Sequence, residues 1–307
     1  MTSGVDLLRD HPCHRTKESA IFTRRTLLAA SAATLLAATP AQATPEVTGR
    51  LRELETEHGA RLGVFARDLG TGRTVRHRAD ELFPMCSLFK TLASAAVLRD
   101  LDRHGEFLSR RIHYTDADLP AEGSDTTREH LADGMTVAEL AEVAITFSDN
   151  GAGNLLLREL GGPTAITRFA RSLGDRVTRL DRWETELNSA EPWRITDTTS
   201  PRAIGRTYGR LVLGDALNRP DRRLLTHWLL NNTTSGTRLR AGLPKSWTVA
   251  DKTGGGSYGT NNNTGIAWKP DGTPVLLAIL TTKPEQSAAR DDVLVAETAK
   301  FLAETLG

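Results

Sequence analysis

The chain has 307 residues, and its 39 basic side chains nearly balance its 38 acidic ones. So even a charge argues against nucleic acid as the main partner, and no apolar run reaches the roughly 18 residues of a membrane-spanning helix. A single hydrophobic core stops growing near this length, so a second lobe is expected.

The front end differs from the rest. Thr23-Arg24-Arg25-Thr26-Leu27-Leu28 opens an Ala/Leu-rich segment that runs to about Ala38, and Ala41-Gln42-Ala43 follows as a small-x-small cleavage site. A charged start, a short apolar core and an A-x-A site predict an export signal over residues 1–43. The paired arginines favour the twin-arginine route over the general one. Processing would leave 34 basic against 35 acidic residues and no membrane anchor, and the product would be secreted. It would also remove Cys13 and leave Cys86 alone, with no internal disulfide available. Cys86 has no histidine nearby in sequence, so it reads as a small buried filler.

After the leader, Val47, Leu51 and Leu54 repeat at helical spacing from Pro45 to Glu57, and Gly59 is the stop. Residues 61–66 and 74–77 flank Leu69-Gly70-Thr71-Gly72 as a hairpin. Helices follow: Ser87 to Leu98, then Thr136 with Glu139 as a capping box opening a helix to about Ile145, then Leu155 to Leu160, then one from Pro163 to near Gly174. Strands return at Trp247 to Asp251, Gly265 to Trp268 and Val275 to Leu280, joined by Gly- and Asn-rich turns. A last helix is expected from about Gln286 to Leu306. Strands at both ends and helices between predict an α+β chain, with an α/β domain from residues 44–78 and 231–307 around an inserted all-α domain at 79–230. A small-molecule site belongs in the cleft between them.

Three short motifs stand in order: Ser87-Leu88-Phe89-Lys90, Ser148-Asp149-Asn150 and Lys252-Thr253-Gly254. A lone S-x-x-K arises about once by chance in a chain this long; the ordered set is far rarer. Residues three apart on a helix share a face, so the Lys90 amine can serve the Ser87 hydroxyl, a poor nucleophile without a base. At the start of its helix Ser87 would also meet unpaired N–H groups and the positive end of the dipole. Lys90 can be read as neutral base or as charged stabiliser. Lys252 and Thr253 place a cation and a hydroxyl together, a match for a substrate carboxylate.

With Arg182-Trp183-Glu184-Thr185-Glu186-Leu187-Asn188, an R-x-E-x-x-L-N run, these motifs make the chain similar to the class A serine β-lactamases. The resemblance covers nearly everything after residue 43. It implies a split five-stranded antiparallel sheet with flanking helices plus an all-helical lobe, a β-lactam substrate, no cofactor and a monomer. It further implies that Ser87 is acylated and that Gly255 N–H helps to hold the oxyanion. Ser148 would relay a proton, Asn150 would hold the substrate's side-chain amide, and Asp149 would point inward. Glu184 and Asn188 would hold the deacylating water on an Ω-loop closed by Arg182 with Asp197, while Glu186 stays a surface charge. Arg238 would reinforce the carboxylate anchor, since the family's other arginine position is Asn261 here.

Some features depart from the family or mislead. Gly123 stands where relatives carry an aromatic, Ser257 where they are often acidic, and Gly256 where some place a second cysteine. Gly255-Gly256-Ser257-Tyr258-Gly259 matches G-x-S-x-G, but hairpin signals follow it where a nucleophile elbow needs a helix. His11-Pro12-Cys13-His14 falls in the leader, and no H-x-H-x-D set is available for zinc. Two other readings share the Ser/Lys core: a D,D-peptidase acting on peptidoglycan stems, which lacks the R-x-E-x-x-L-N element, and a non-catalytic lactam sensor, which needs a membrane segment.

Overall fold

The computed structural model describes residues 45–307; the export signal expected over 1–43 lies outside them. The chain opens with α1 (Pro45–Glu57), β1 (Arg61–Asp68), β2 (Thr74–His77) and β3 (Phe83–Pro84). It continues through α2 (Phe89–Ala96), β4 (Arg111–Ile112), α3 (Asp125–Glu129), β5 (Met135–Thr136), α4 (Val137–Thr146), α5 (Asn150–Glu159) and α6 (Thr164–Ser172). After β6 (Thr198–Thr199) come α7 (Pro201–Val212), α8 (Arg219–Leu230) and α9 (Leu239–Gly242). Strands β7 (Thr248–Gly255), β8 (Asn261–Trp268) and β9 (Pro274–Thr282) precede the last helix, α10 (Asp292–Leu306).

The main sheet is five-stranded and antiparallel, in the order β2-β1-β9-β8-β7, so the first and last segments of the chain pair through β1 and β9. It is buried on both faces, and the two-residue period of a strand divides it. Val64, Ala66, Leu277 and Ile279 join a core with α1 and α10. Phe65, Leu276, Ala278 and Leu280 face α7 and belong to a second core that continues into the helices. At the centre of that core α2 buries all eight of its side chains, as a helix surrounded by others must.

The helix, hairpin and capping-box expectations hold at Pro45–Glu57, in β1–β2, and at Thr136 with Glu139. Several boundaries move. Helix α5 starts at Asn150, five residues earlier than expected, because Asp149 caps it by accepting from Ala152 N. Helix α10 starts at Asp292 rather than near Gln286, and its cap is Asp291. The Asn261-Asn262-Asn263 run, read as turn, is the start of β8 and fully buried. Each of these amide nitrogens donates to a partner from another segment or strand, which outweighs asparagine's preference for turns.

Candidate active site

Ser87 lies in one 3₁₀ turn, Cys86–Leu88, that leads straight into α2. Two strands hold this turn. Asn262 Nδ2 donates to Pro84 O (2.8 Å) and Met85 O (3.2 Å), and a Cβ on Gly254 would stand 2.9 Å from Met85 O. Only a residue without a side chain allows β7 so near. Cys86 has φ +48°, a strained value for a non-glycine residue and a kind that gathers at functional sites. Its thiol is fully buried, which pushes its pKa far up and leaves it protonated and inert, as its reading as filler requires.

One helical turn on, Lys90 Nζ donates to Ser148 O (2.7 Å) and Asn150 Oδ1 (2.6 Å) and lies 3.1 Å from Glu184 Oε1. Three acceptors thus surround the amine. The Ser87 hydroxyl donates to that same Glu184 Oε1 at 3.1 Å. In this structure the carboxylate therefore faces the serine directly and is shared with Lys90. Both members of the Lys90–Glu184 pair are fully buried. Gly153, on α5, makes room: a Cβ there would sit 2.8 Å from Lys90 Cε.

Ser148, at φ +62°, ends the turn between α4 and α5. Asp149 points inward and accepts from Thr127 N and Thr127 Oγ1 as well as Ala152 N, so bracing and capping are one job. Asn150 Nδ2 donates to Glu122 O (3.0 Å), and Gly123, at φ +67°, lies against the same amide.

Glu184 comes from the loop between α6 and β6. Its backbone is clamped to α5 by Asn154, whose Oδ1 accepts from Glu184 N (2.9 Å) and whose Nδ2 donates to Glu184 O (2.8 Å). Asn154 is absent from the sequence reading; the available signal was its place four residues after Asn150, on one helix face. Asn188 Nδ2 donates to Glu184 Oε2, while Asn188 Oδ1 is buried without a protein partner. The loop is closed at its base by Asp197, which accepts from Arg182 Nε (2.6 Å) and from the backbone N–H groups of Asp181 and Arg182. Glu186 is exposed, as expected. Asp197→Ala is expected to destabilise the fold by about 3 kcal/mol, because Arg182 is left half-buried without its carboxylate; urea unfolding measures this.

On β7, Lys252 Nζ donates to Ser148 Oγ (2.8 Å) and Thr253 O (2.9 Å). Burial, and then the nearby Lys90 cation, lower its pKa well below that of an ordinary lysine. Thr253 Oγ1 meets Thr234 Oγ1, a second residue absent from the sequence reading. Arg238 is tied to Asp292 (2.8 Å), which also accepts from Asn261 Nδ2. The two alternative arginine positions are thus neighbours around one carboxylate, and Arg238 makes no recorded contact with Lys252 or Thr253. Gly255 ends β7 beneath the Arg290 guanidinium.

Residues 46–306 match the family described as the beta-lactamase enzyme family. The chain is 64% identical over 306 residues to the β-lactamase of Streptomyces albus G, covering 93% of this chain and 98% of that protein. It is 62% identical to the β-lactamase of Streptomyces fradiae, covering 91% and 93%. The solved structure of the Streptomyces albus G enzyme superposes with a TM-score of 0.84 over 85% of this chain and all of that one. The chain belongs to the class A β-lactamase family. An ancestral class A β-lactamase shares 49% identity and a TM-score of 0.81, over 84% of this chain and 99% of the other. In this β-lactamase the G-x-S-x-G run is followed by β8 and not by a helix. Ser257 N donates instead to Asn188 O (2.9 Å), which ties the Glu184 loop to the β7–β8 hairpin.

Proposed function

We propose that this β-lactamase opens β-lactam rings by acylation of Ser87 and releases the product with water activated by Glu184. The observation that carries this reading is the buried trio in which Glu184 Oε1 accepts from Ser87 Oγ and lies 3.1 Å from Lys90 Nζ. A carboxylate so placed can take the hydroxyl proton as Ser87 attacks, and the Lys90 cation steadies the charge that develops. The Ser148 hydroxyl, accepting from Lys252, then gives its proton to the departing lactam nitrogen and is restored by the proton that Glu184 took, relayed through the Lys90 amine, which leaves Glu184 ionised for the deacylating water. Deacylation needs a water beside Glu184, and the unpartnered Asn188 Oδ1 supports one there, since buried acceptors are almost always satisfied. The loop from Arg182 to Asp197 acts as the family's Ω-loop and keeps this carboxylate in register. Gly255 N–H is assigned to the oxyanion, Asn150 to the substrate's side-chain amide, and Thr253 with Arg238 to its carboxylate.

The division into an α/β part (44–78 with 231–307) and an all-α part (79–230) remains our reading. It is supported by the site drawing Lys252 from one and Ser87, Ser148 and Glu184 from the other. We also read residues 1–43 as a twin-arginine export signal, on Arg24-Arg25 and Ala41-Gln42-Ala43, and the processed protein as a secreted monomer that confers resistance to these antibiotics. Among the described residues no helix is long and apolar enough to cross a membrane.

Purified protein is expected to turn over a chromogenic cephalosporin many times per chain and to release no D-alanine from a D-Ala-D-Ala peptide. A single-turnover burst would sink the hydrolase reading and favour a peptidase or a sensor. The Lys252 environment adds a pH signature. Below its lowered pKa Lys252 is a cation suited to a carboxylate; as pH rises through that value the charge is lost. KM for carboxylate-bearing substrates should therefore climb with pH while kcat changes less, and Lys252→Arg should flatten the KM profile. A wild-type KM indifferent to pH would remove Lys252 from this role. The same shift makes the folded protein bind fewer protons at this residue than the unfolded chain between the lowered pKa and 10.5, so its contribution to stability rises with pH there.

A further inference from the structure

A second concentration of charge lies on the face of the sheet covered by α7. Strand alternation puts Phe65 and Arg67 on that face, and the register sets Arg76 opposite Phe65. From α7, Arg202 and Arg206 lie four residues apart on one side, and both guanidinium groups stand over the Phe65 ring, at 5.3 and 5.8 Å from its centroid. Four arginines thus share this face, two of them over one aromatic ring. Two carboxylates lie beside them: Asp80, already held by Arg202 through two bonds of 2.6 and 2.7 Å, and Asp175, which accepts from Thr178 and Thr207.

Arg67, Arg76 and Arg206 make no side-chain hydrogen bond or ion pair among the described residues, and Arg76 Nε is buried without an acceptor. Burial, and then the charges of Arg202, Arg76 and Arg67, press the Arg206 pKa down. Like charges four apart on a helix are destabilising, and a buried guanidinium N–H without an acceptor adds to that cost. The Arg202–Asp80 pair and the two ring contacts on Phe65 offset part of the first cost, but no acceptor among the described residues bonds the guanidinium groups of Arg67, Arg76 or Arg206. The ground is also concave. Arg206 forms part of the wall of two adjoining cavities, one of about 280 Å³ that includes Arg176 and Arg202, the other of about 430 Å³ that includes Arg67.

We propose that this face is a binding site for a phosphate-type oxyanion, held by the guanidinium groups of Arg67, Arg76 and Arg206. The planar fork of a guanidinium fits phosphate oxygens with paired hydrogen bonds, and three of them supply the multiple charge that a single carboxylate ligand would not use. The ligand is either a free phosphate or the head group of an anionic lipid, because both present the same oxygens. None of these arginines belongs to the Ser87–Glu184 cluster, so occupancy is separable from turnover.

Calorimetric titration of the processed protein with sodium pyrophosphate, and co-sedimentation with phosphatidylglycerol vesicles, test the site at low and at physiological ionic strength. One saturable site per chain is expected with at least one of these probes. Pyrophosphate binding without vesicle binding assigns a free phosphate; vesicle binding alone assigns the lipid head group. The double variant Arg76→Gln/Arg206→Gln should weaken binding about tenfold or more, the loss that follows from one charge-assisted contact. Asp80→Asn frees Arg202 from its competitor and should tighten binding several-fold. Cephalosporin turnover should stay the same in both. Absence of saturable binding to either probe overturns the proposal, as does binding that the double variant retains. If the double variant does not fold, an Asp80→Asn protein with unaltered affinity overturns it too.

Discussion

Glu184→Ala is expected to leave an enzyme that accepts one penicillin molecule and then stalls. The acyl-enzyme should build up within the first turnover and appear by intact-protein mass spectrometry as a covalent adduct of the substrate's mass. Steady-state turnover should fall by about 10²–10⁴, the usual worth of a positioned general base. Acylation survives because the substitution also removes an acceptor from Lys90 Nζ, which in wild type bonds to Ser148 O, Asn150 Oδ1 and Glu184 Oε1. Freed from the carboxylate, the amine can give up a proton and serve Ser87, though less well. Deacylation has no such substitute, since Asn188 alone offers no base. A folded Glu184→Ala protein that shows no adduct would falsify the substitute role given to Lys90 and leave Glu184 as the sole base for acylation.

Lys90→Met should damage activity and stability together. The Lys90 and Glu184 side chains are fully buried, so removing the cation leaves a carboxylate in a low-dielectric site with no counter-charge. Such a change costs about 3–5 kcal/mol, readable as a shift in urea midpoint. Turnover should fall by about 10³ as the charge that orients Glu184 disappears. The double variant Lys90→Met/Glu184→Gln should recover most of the stability and none of the activity, because it removes both charges. Its double-mutant cycle isolates the pair. If the single and double variants are equally stable, the ammonium–carboxylate contact is not what holds these groups in place.

The motif residues were legible in the chain because each is defined by a short local spacing. Ser87 and Lys90 are one helical turn apart, Thr136 and Glu139 form a capping box, and the β1–β2 hairpin is flagged by its glycines. The division of β1 and β9 between two cores, by contrast, is not written in their unbroken apolar runs and appears only in the packing. What the residues could not announce is how distant segments meet. Asn261, Asn262 and Asn263 look like turn formers, yet the amide nitrogen of each donates to a partner brought up from elsewhere: Asp292, the Pro84 and Met85 carbonyls, and Asp251.

Local pattern therefore determined the element types, the α+β class and the inventory of reactive side chains, since these depend on backbone period and on chemistry within a few residues. Only the tertiary structure decided that Ser87 bonds to Glu184 across 97 positions, that Asn154 clamps the Glu184 backbone, and that Arg67, Arg76 and Arg206 share one face with no ion-pair partner among the described residues. Hydrogen bonding and charge pairing act over a few ångströms of space, and separation along the chain carries no trace of them.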